Sequence, residues 1–371
     1  MSEILVVGAG FAGAVAARTL ADAGLAVRVV DRRDHVAGNA FDAPDAHGVV
    51  IHRYGPHIFH TNSDRVLAWL SRFTGWRPYE HRVLASVGGQ LVPVPVNRTT
   101  INRLFGLDLD ADGAARFLAA ARIAIDRPAN SEEQLLATVG RELSDLLFRG
   151  YSRKQWSREL SELSPQVVGR IPVRTDDDDR YFTDVHQCMP AAGYAALFGN
   201  ILDHPAIRLE LATEFDSRRD AAGWRHVVYT GPIDAWFDHR FGALPYRSLR
   251  FETEHVADRT LVQPVATINH PNQHAYTRVT EFKHMTGQVS TGTTLMREYP
   301  TAEGPPFYPV PGPESAALHR RYRDLADALP DVTFVGRLAE YRYYNMDQVV
   351  AAALRAAERI CERLGRDRPA A

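Results

Sequence analysis

The sequence feature that most restricts the fold is a glycine string that stands between an apolar run and a helical pattern. The run Ile4–Val7 leads into Gly8-Ala9-Gly10-Phe11-Ala12-Gly13, and residues 12–23 then carry Ala and Leu at helical spacing. A second apolar run, Val27–Val30, ends at Asp31. This order predicts a β-α-β unit with a dinucleotide site, because glycines allow a tight turn and a close approach of the backbone to a diphosphate.

The same unit suggests which residues bind the dinucleotide. A helix N-terminus presents free amides and a positive dipole end to a diphosphate, and Asp31, placed at the end of the second strand, can accept hydrogen bonds from a ribose. The alternative is a glycine turn that only packs the helix, with Asp31 on the surface. The residues assigned to the cofactor from this unit are Gly8, Gly10, Phe11, Ala12, Gly13 and Asp31.

Length and composition exclude several classes of protein. A chain of 371 residues exceeds the roughly 250–300 at which one core stops growing, so more than one domain is expected. Its 45% hydrophobic residues, 24% charged residues and formal net charge of -2 are typical of a globular enzyme, not of a nucleic-acid-binding protein. No apolar stretch approaches the roughly 18 residues of a membrane span. Cys188 and Cys361 form neither a disulfide framework nor a metal motif, so a reducing cytoplasm is expected.

Hydrophobic periodicity and turn signals predict the remaining elements. A hairpin is expected at 82–87 and 90–94, and the second of two early helices should be capped at Asn130. The other predictions are helices at 113–125, 131–149, 314–329 and 346–364, a mobile loop at 165–180, and strands at 226–230, 261–269, 274–283, 289–296 and 332–335.

Two further segments favour FAD over NAD as the dinucleotide. Residues 32–40, Arg-Arg-Asp-His-Val-Ala-Gly-Asn-Ala, resemble the second glycine motif of the glutathione-reductase-like FAD superfamily. Near the far end, an apolar strand leads into Gly336-Arg337 before the helix that begins near Met346, as in flavoproteins whose last helix points its N-terminus at the flavin. These segments add Arg32, Gly38, Asn39, Gly336, Arg337 and Met346 to the cofactor set.

The expected fold class is therefore α/β, with a Rossmann-like FAD-binding domain of the glutathione-reductase type, a small helical domain and an antiparallel-sheet domain. The FAD-binding domain is discontinuous because both ends of the chain contribute to it. The expected boundaries are 1–72 with 189–243 and 312–371 for the FAD-binding domain, 99–163 for the helical domain, and 73–98 with 164–188 and 244–311 for the antiparallel-sheet substrate domain.

Motifs along nearly the whole chain resemble those of the UDP-galactopyranose mutases of prokaryotic type. Their order and spacing span all the expected domains, which makes chance agreement implausible. The strings are Tyr54-Gly55-Pro56-His57-Ile58-Phe59-His60-Thr61-Asn62, Gly150-Tyr151-Ser152-Arg153-Lys154-Gln155-Trp156, Arg170-Ile171-Pro172-Val173-Arg174, Tyr181-Phe182, Tyr229-Thr230-Gly231-Pro232-Ile233-Asp234, Tyr276-Thr277-Arg278, Phe307-Tyr308-Pro309, Gly336-Arg337-Leu338 and Tyr341-Arg342-Tyr343-Tyr344.

The resemblance implies an isomerase that converts UDP-galactopyranose reversibly to UDP-galactofuranose, the precursor of galactofuranose in cell-surface glycans. It also implies reduced FAD as the cofactor, with flavin N5 attacking the anomeric carbon while UDP leaves. NADPH, NADH or another reductant would reduce the flavin, and a homodimer is implied for chains of this length.

The resemblance also assigns roles to side chains. Arg174 and Arg278 would hold the diphosphate and, with His57 beside the flavin, form the catalytic set. A salt bridge from Arg174 to the acidic run Asp176–Asp179, and a structural role for Arg278, are the alternatives. Aromatic residues would stack on uracil and tyrosine hydroxyls would bond to the diphosphate. The substrate set is Tyr151, Trp156, Arg174, Tyr181, Phe182, Asn269, Arg278, Tyr308, Tyr343 and Asn345, and the flavin end adds His57, Ile58 and Tyr343.

Some residue patterns argue against particular chemistries. His57 and His60 are spaced like metal ligands, but no Cys or carboxylate completes a set in that segment, so no metal is expected. The run Asp176–Asp179 is interpreted as a solvated loop. Asn345 stands where several family members have Asp, and an amide cannot act as a general base, so no side-chain general base is evident.

Two other functions remain open from the sequence. An amine-oxidase-like FAD oxidoreductase would share the features before residue 50, but an amine substrate has no use for arginines placed at a diphosphate. A nucleotide-binding protein without turnover would not need the combination of Arg174, Arg278 and His57.

Overall fold

The computed structural model describes residues 4–169 and 171–366, so Arg170, the first residue of the string Arg170-Ile171-Pro172-Val173-Arg174, lies outside the described residues. The strands are β1 (Ile4–Val7), β2 (Val27–Val30), β3 (Asp42–Pro44), β4 (Val50–His52), β5 (Phe59–Thr61), β6 (Trp76–Pro78), β7 (Val83–Val87), β8 (Gln90–Val94), β9 (His186–Pro190), β10 (Ile207–Glu210), β11 (His226–Tyr229), β12 (Tyr246–Val256), β13 (Thr267–Asn269), β14 (Arg278–Glu281), β15 (Thr293–Thr301), β16 (Tyr308–Pro309) and β17 (Val332–Phe334).

The helices fall mainly between the strands of the parallel sheet and in the middle of the chain. They are α1 (Phe11–Asp22), α2 (Asp64–Ser71), α3 (Arg98–Phe105), α4 (Ala111–Ala121), α5 (Ser131–Thr138), α6 (Gly140–Ser144), α7 (Gly150–Trp156), α8 (Gln166–Gly169), α9 (Gly193–Leu202), α10 (Ser217–Asp220), α11 (Ile233–Trp236), α12 (Lys283–Thr286), α13 (Pro313–Asp327) and α14 (Met346–Arg363), with a π-helical stretch at Asp145–Arg149.

A five-stranded parallel sheet in the order β10-β2-β1-β11-β17 joins the two ends of the chain. Its central strand β1 is apolar at every position because both faces of a parallel sheet are covered. One face packs on α1 and α14, whose fully buried alanines, such as Ala17 and Ala353, let the two helices lie close together. The N-termini of both helices therefore lie near the carboxyl ends of the strands, where open α/β sheets bind their ligands.

A seven-stranded sheet in the order β16-β12-β15-β14-β13-β7-β8 forms a second layer, antiparallel except where β13 runs parallel to β7. The hairpin β7–β8 packs against the helices α3–α8 through a core that includes Val92, Leu118, Leu143 and Phe148. A small sheet, β5-β9-β6, stands between the two larger sheets. This arrangement leaves space where the parallel sheet, the seven-stranded sheet and the helical region meet.

The α/β class is confirmed, and the local predictions near glycines and caps hold. The strands β1 and β2, the hairpin β7–β8 and the helices α1, α13 and α14 lie within two residues of their expected bounds. Asn130 caps α5, because its side chain accepts a hydrogen bond from the amide of Glu133 at 2.9 Å.

Other predicted elements were wrong in extent. The single helix expected at 131–149 is broken at Gly140, which has a φ of +79° and lies so close to Ala121 that a Cβ there would be 2.3 Å from the Ala121 carbonyl oxygen. The strand expected at 261–269 is reduced to β13. The amides of Val262 and Gln263 donate hydrogen bonds to the Glu281 carboxylate and not to a neighbouring strand.

The strands expected at 274–283 and 289–296 begin later, as β14 and β15, and the first ends in the short helix α12. The long strand β12 was not predicted. Within the expected loop 165–180, residues 166–169 form α8.

The strands of the parallel sheet come from the three stretches expected for the FAD-binding domain, and those of the seven-stranded sheet from the stretches expected for the substrate domain. We keep the division into three domains, with its boundaries, as a proposal. None of the helices in residues 4–169 and 171–366 combines the length and apolar character needed to cross a bilayer.

Candidate active site

A cavity of about 330 Å³ lies where the three regions meet. The helical region contributes Tyr151 and Trp156 from α7, and the seven-stranded sheet contributes Asn269, Arg278 and Tyr308. The other residues assigned to substrate or cofactor that line it are His57, Ile58, Tyr181, Phe182, Arg337, Tyr343, Asn345 and Met346. The tertiary structure thus brings together aromatic, cationic and amide side chains from segments far apart in the sequence.

Arg278 is the cation on the sheet side of the cavity. Asn269, Arg278 and Glu298 stand opposite one another on β13, β14 and β15, so all three point to the same face. Arg278 Nε donates to Oε1 of the buried Glu298 at 2.7 Å. Burial opposes the charge of Arg278, but Glu298, Tyr151 and Tyr308 outweigh it and raise the pKa of Arg278 well above its ordinary value. The cavity therefore has a permanent cation, suited to a diphosphate.

An aromatic cluster borders the cavity beside this cation. Tyr308 and Tyr343 stack with ring centroids 5.4 Å apart, and Trp156 packs on both at 6.4 and 5.9 Å. The guanidinium of Arg337 lies 5.5 and 5.8 Å from the centroids of the two tyrosines, and its Nη2 donates to the Tyr344 carbonyl at 2.8 Å. Burial raises the pKa of Tyr308 to about 12, so its hydroxyl stays protonated and can donate to an anion.

His57 lies at the end of the cavity nearest the parallel sheet. Its Nδ1 is 2.8 Å from the Gly55 carbonyl oxygen, which can only accept, so Nδ1 carries the proton and Nε2 is an acceptor. Its backbone is fixed as well, by the His57 amide bond to His52 Nδ1 and by the Tyr194 hydroxyl on its carbonyl. Burial, with smaller contributions from Arg337 and Arg278, lowers the pKa of His57 to about 4, so the ring is neutral near pH 7.

The wall opposite the aromatic cluster contains two more histidines. His60 stacks on Phe182 with ring centroids 3.7 Å apart, and its Nδ1 lies 2.8 Å from Asp184 Oδ2. His81 meets the hydroxyl of Tyr79 at 3.0 Å, and burial, with Arg278 and His60, lowers the pKa of His81 to about 3. His81 and Asp184 were not predicted, because neither residue belongs to a recognisable motif and each reaches the cavity only through the fold.

Lys154 joins the two sides of the cavity that contain Tyr151 and Arg278. Its ammonium projects from α7 into the β13–β14 loop and donates to the carbonyls of His270, Gln273, His274 and Tyr276. These bonds fix the helix against the loop that precedes Arg278.

Arg174 does not line the cavity, although Ile171 and Pro172 in the same segment do. Its Nη1 donates to the carbonyls of Arg180 at 2.6 Å and Asp178 at 3.3 Å, and its Nε lies 3.7 Å from the Asp178 carboxylate. The structure thus shows the alternative that the sequence left open, an interaction of Arg174 with the acidic run. Its role at the diphosphate stays a proposal.

The acidic run is irregular and largely exposed, as expected of a solvated loop, and its side chains also form ion pairs that were not predicted. Asp177 pairs with Arg98 at 3.0 Å, Asp178 with Arg180 at 2.9 Å, and Asp179 with Arg82 at 2.7 Å. The backbone is held as well, since the Arg98 amide donates to the Asp176 carbonyl at 2.8 Å. The ion pairs attach this segment to α3 and β7.

Asn345 has a structural role at the start of α14 as well as a place in the cavity wall. It is the N-cap of α14, where its backbone amide donates to Oε1 of Gln348 at 2.9 Å, and it also lines the cavity. Asn and Asp are both favoured at N-caps. The N-terminus of α14, with its positive dipole end, faces the cavity beside Met346.

The glycine turns form a cradle at the N-terminus of α1. Gly10 is the N-cap and has no side chain to occupy the first-turn amides, and the two turns approach so closely that a Cβ on Gly38, at φ +56°, would lie 3.1 Å from Gly10 Cα. A Cβ on Gly336 would meet Ala12 at 2.8 Å, which places the end of β17 beside the same turn. Close backbone approach and free amides are the features that a dinucleotide diphosphate requires.

The other residues expected at the cofactor lie around this cradle. Asp31 accepts hydrogen bonds from the amides of Ala9 at 2.7 Å and Arg33 at 2.8 Å, so its visible role is to hold the glycine turn. The Phe11 side chain packs in the core on Phe198, which leaves its backbone amide for a ligand. Arg32 is exposed, and Asn39 accepts a hydrogen bond from Arg33 at 2.8 Å. Within the part of the chain that the structure describes, no group of three or more His, Cys, Asp or Glu residues could hold a metal ion.

Comparison with family models gives two matches. Residues 146–343 match the model described as UDP-galactopyranose mutase, and residues 6–73 match a NAD(P)-binding Rossmann-like domain. The first match covers α7, the seven-stranded sheet from β12 onward and the aromatic cluster, while the second covers the glycine turns.

Similar proteins cover almost the whole chain. A probable UDP-galactopyranose mutase of Klebsiella pneumoniae is 40% identical over 366 residues, which is 96% of this chain and 94% of that protein. A dTDP-fucopyranose mutase of Escherichia coli is 36% identical over 369 residues, 96% of this chain and 98% of that protein.

The structural comparison supports the same fold. A reduced UDP-galactopyranose mutase superposes with a TM-score of 0.77 at 17% identity, covering 98% of this chain and 96% of that chain. A putrescine oxidase bound to putrescine reaches only 0.59 at 14% identity, covering 98% and 99%. The amine oxidases that represent the alternative function therefore share the fold but are more distant in structure.

Proposed function

The chain belongs to the UDP-galactopyranose mutase family, and we propose that it interconverts UDP-galactopyranose and UDP-galactofuranose with FAD in its reduced form. The observation that supports this most is that one cavity contains both Arg278, a cation with a raised pKa that stays charged near neutral pH, and the N-terminus of α14 that adjoins the dinucleotide fold. A nucleotide sugar and a flavin therefore have adjacent places.

The residues present fit FAD. The amides that follow Gly8, Gly10 and the rest of the first glycine turn would hold its diphosphate, and Gly38 leaves room for it. The ribose would lie near Asp31 and Arg32, with Asn39 beside it. The isoalloxazine would lie by His57, Ile58, Gly336, Arg337, Tyr343 and Met346. When bound and reduced, the flavin supplies the nucleophile at the anomeric carbon.

The protein would bind the substrate through its diphosphate. Arg278, fixed by Glu298, holds one side, and the hydroxyls of Tyr308 and Tyr343 donate to the phosphate oxygens. Both the bound diphosphate and the departing UDP carry negative charge, so these donors stabilise the step in which UDP leaves. Arg174 would add a second cation after it leaves the carbonyls of Asp178 and Arg180.

The uracil would lie against α7, where Tyr151 and Trp156 border the cavity, with Tyr181 and Phe182 on the far wall. Asn269 and Asn345 would bond to sugar or phosphate oxygens as neutral donors and acceptors. The neutral His57 ring would lie beside the flavin, with Nε2 as a hydrogen-bond acceptor.

The setting we propose is a cytoplasmic homodimer, reduced by NADPH, NADH or another reductant, that makes a galactofuranose precursor for cell-surface glycans. The two cysteines Cys188 and Cys361 are buried free thiols, which fits a reducing compartment.

The test is to incubate the purified holoenzyme with UDP-galactofuranose, with and without dithionite, and to separate the nucleotide sugars by chromatography. Conversion to UDP-galactopyranose only in the reduced sample is the expected result. A parallel sample with dTDP-fucofuranose tests the substrate of the Escherichia coli relative. Preference for that sugar, or no conversion while FAD is bound, would overturn the proposed substrate.

A further inference from the structure

One cavity histidine differs from the other two in its partner. Of His57, His60 and His81, which line the cavity, His60 has its Nδ1 on a carboxylate, Asp184 Oδ2, at 2.8 Å. The other two meet a backbone carbonyl and a tyrosine hydroxyl. The side chains of His60 and Asp184 are 10% and 20% exposed, and both border the cavity.

The pair is rigidly held. The His60 ring stacks on Phe182 with an interplanar angle of 14°, and His60 is paired with Gln187 in the β5–β9 ladder. The Asp184 carbonyl accepts from Gln187 Nε2 at 3.0 Å, and the next amide, Val185, donates to Asn62 at 2.8 Å. The imidazole therefore has one orientation.

The partner decides which nitrogen is available for chemistry. A carboxylate only accepts, so the proton between the two groups belongs to Nδ1, and Nε2 is the nitrogen left for a ligand. In the neutral ring Nε2 accepts a proton, and in the imidazolium it donates one while Asp184 compensates the charge. Asp184 and His81 are charged or titratable neighbours of His60, and Arg278 also acts on His81.

The proposed reaction needs such a group. Opening the pyranose breaks the bond between C1 and the ring oxygen, whose electron pair leaves with the oxygen and requires a proton. Closing the furanose forms a bond from the C4 oxygen to C1 and releases the proton of that hydroxyl. A positioned acid or base accelerates steps of this kind about 10²–10⁴-fold.

Taking the proposed function as given, we propose that Asp184 is a positioning residue that sets His60 as the proton relay for ring opening and closure. Imidazolium Nε2–H gives its proton to the ring oxygen, and the neutral Nε2 then takes the proton of the C4 hydroxyl. His60 returns to its starting form after each turnover, and no net proton or electron is consumed. The reverse reaction uses the same two steps in the opposite order.

The test compares Asp184→Asn with Asp64→Asn in the reduced holoenzyme. Asp64 is a matched control because it forms the same type of pair, with His186 Nε2 at 2.7 Å, but is 93% exposed and outside the cavity. The expected result is a kcat that falls about 10–100-fold for Asp184→Asn, with little change in KM, and no change for Asp64→Asn.

An isotope experiment separates the relay from the bond cleavage that comes before it. Scrambling of ¹⁸O from the bridging to the non-bridging phosphate oxygens of UDP-galactopyranose needs only departure and return of UDP. Asp184→Asn and His60→Gln should keep this scrambling while losing furanose formation. Loss of both would show that the pair serves binding or folding, and would overturn the relay.

A spectroscopic measurement without substrate completes the test. The ¹⁵N shifts of the His60 ring should show a proton on Nδ1 at neutral pH, and Asp184→Asn should increase the share of the tautomer with its proton on Nε2, because the amide nitrogen can also face Nδ1. Unchanged ¹⁵N shifts and an unchanged kcat would each overturn the proposal. If wild type neither scrambles the label nor forms product, the failure is that of the proposed function instead.

Discussion

Two regions of this protein present the arginines assigned to the diphosphate, and they hold them in different ways. Arg278 stands on β14 with strands on both sides, and its partner Glu298 is buried opposite it on β15. Arg174 stands on an irregular segment, and its guanidinium donates to the carbonyls of Asp178 and Arg180 in the same segment. One cation already faces the cavity, while the other must first exchange its partners.

The difference teaches how a site can combine a fixed and a variable charge. Removing one member of a buried ion pair leaves an uncompensated charge, which costs about 3–5 kcal/mol. Carbonyl partners on a nearby loop are worth roughly 1 kcal/mol each and can be replaced by water. The ion pair with buried Glu298 therefore fixes Arg278, whereas Arg174 can exchange its carbonyl partners at a smaller cost in stability.

The largest expected effect comes from Arg278→Met. We expect kcat/KM to fall at least about 10³-fold, and the free energy of unfolding to fall by about 3–5 kcal/mol because Glu298 remains buried without its cation. Urea unfolding and steady-state kinetics measure the two effects. The double variant with Glu298→Gln should recover stability but not activity; recovery of activity would show that Arg278 is only structural.

Arg174→Ala should affect activity without affecting the fold. The expected loss in kcat/KM is about 10²-fold, because one cation at the diphosphate is missing, while the free energy of unfolding falls by only about 1–2 kcal/mol for the two lost carbonyl bonds. A stability loss as large as that of Arg278→Met would remove the contrast between the two regions. An unchanged kcat/KM would show that Arg174 stays with the acidic run during turnover.

A fall in pH should destabilise the native state through His57 before it breaks the ion pairs of the 171–180 segment. Burial lowers the pKa of His57 from its ordinary 6.5 to about 4, so between these pH values the unfolded chain binds a proton that the native state does not. The free energy of unfolding should fall as pH falls through this window, by about 1–2 kcal/mol for this histidine. Unfolding curves of wild type and His57→Gln should converge toward pH 4; a constant difference would contradict a depressed pKa.

The Asp178 pair should persist through the same window. Hydrogen bonding to Arg180 lowers the pKa of Asp178 to about 2, so its stabilising effect, present above the ordinary value of 3.8, is lost only as pH falls toward 2.

The smallest effect is expected from Asp178→Asn. The amide no longer forms ion pairs with Arg180 and Arg174, so Arg174 should leave the loop more readily. The affinity for UDP should then rise about two- to five-fold, which corresponds to roughly 1 kcal/mol or less. Calorimetric titration with UDP measures the change. Asp177→Asn is the matched control, because Asp177 pairs with Arg98 on α3, whereas Asp178 pairs with Arg180 and Arg174. Equal effects in both variants would point to net charge instead of the contact.

The sequence anticipated the site better where a motif identified its members. Tyr151, Trp156 and Arg278 line the cavity as the family motifs implied, although they lie on a helix and a strand more than 120 residues apart. His60 and Asp184 belong together only because β5 pairs with β9, and no local pattern links residues 124 positions apart. Arg174 was assigned by its motif, but its orientation depends on carbonyls of its own loop.

The secondary-structure errors have related causes. The strand β12 was not predicted because its second half is exposed and charged. There Glu254 forms an ion pair with Arg297 on β15 instead of packing against an apolar neighbour. The ion pairs of the acidic run were not predicted because their partners, Arg98 on α3 and Arg82 just before β7, come about 80–100 residues earlier in the chain. Single-sequence periodicity detects burial, and it does not detect polar contacts that the fold creates.

By itself the sequence determined the β-α-β unit, the two glycine turns and the capped helices, because these depend on backbone conformation and hydrogen bonds within a few residues. It also determined the family, because many motifs stand in the right order. Only the tertiary structure decided that Asp184 would face His60, that Lys154 would fix α7 to the β13–β14 loop, and that Arg174 would turn away from the cavity. The first two contacts join distant segments, and the third depends on how the 171–180 segment is held by the rest of the fold, so none of them exists before the sheets and helices have packed.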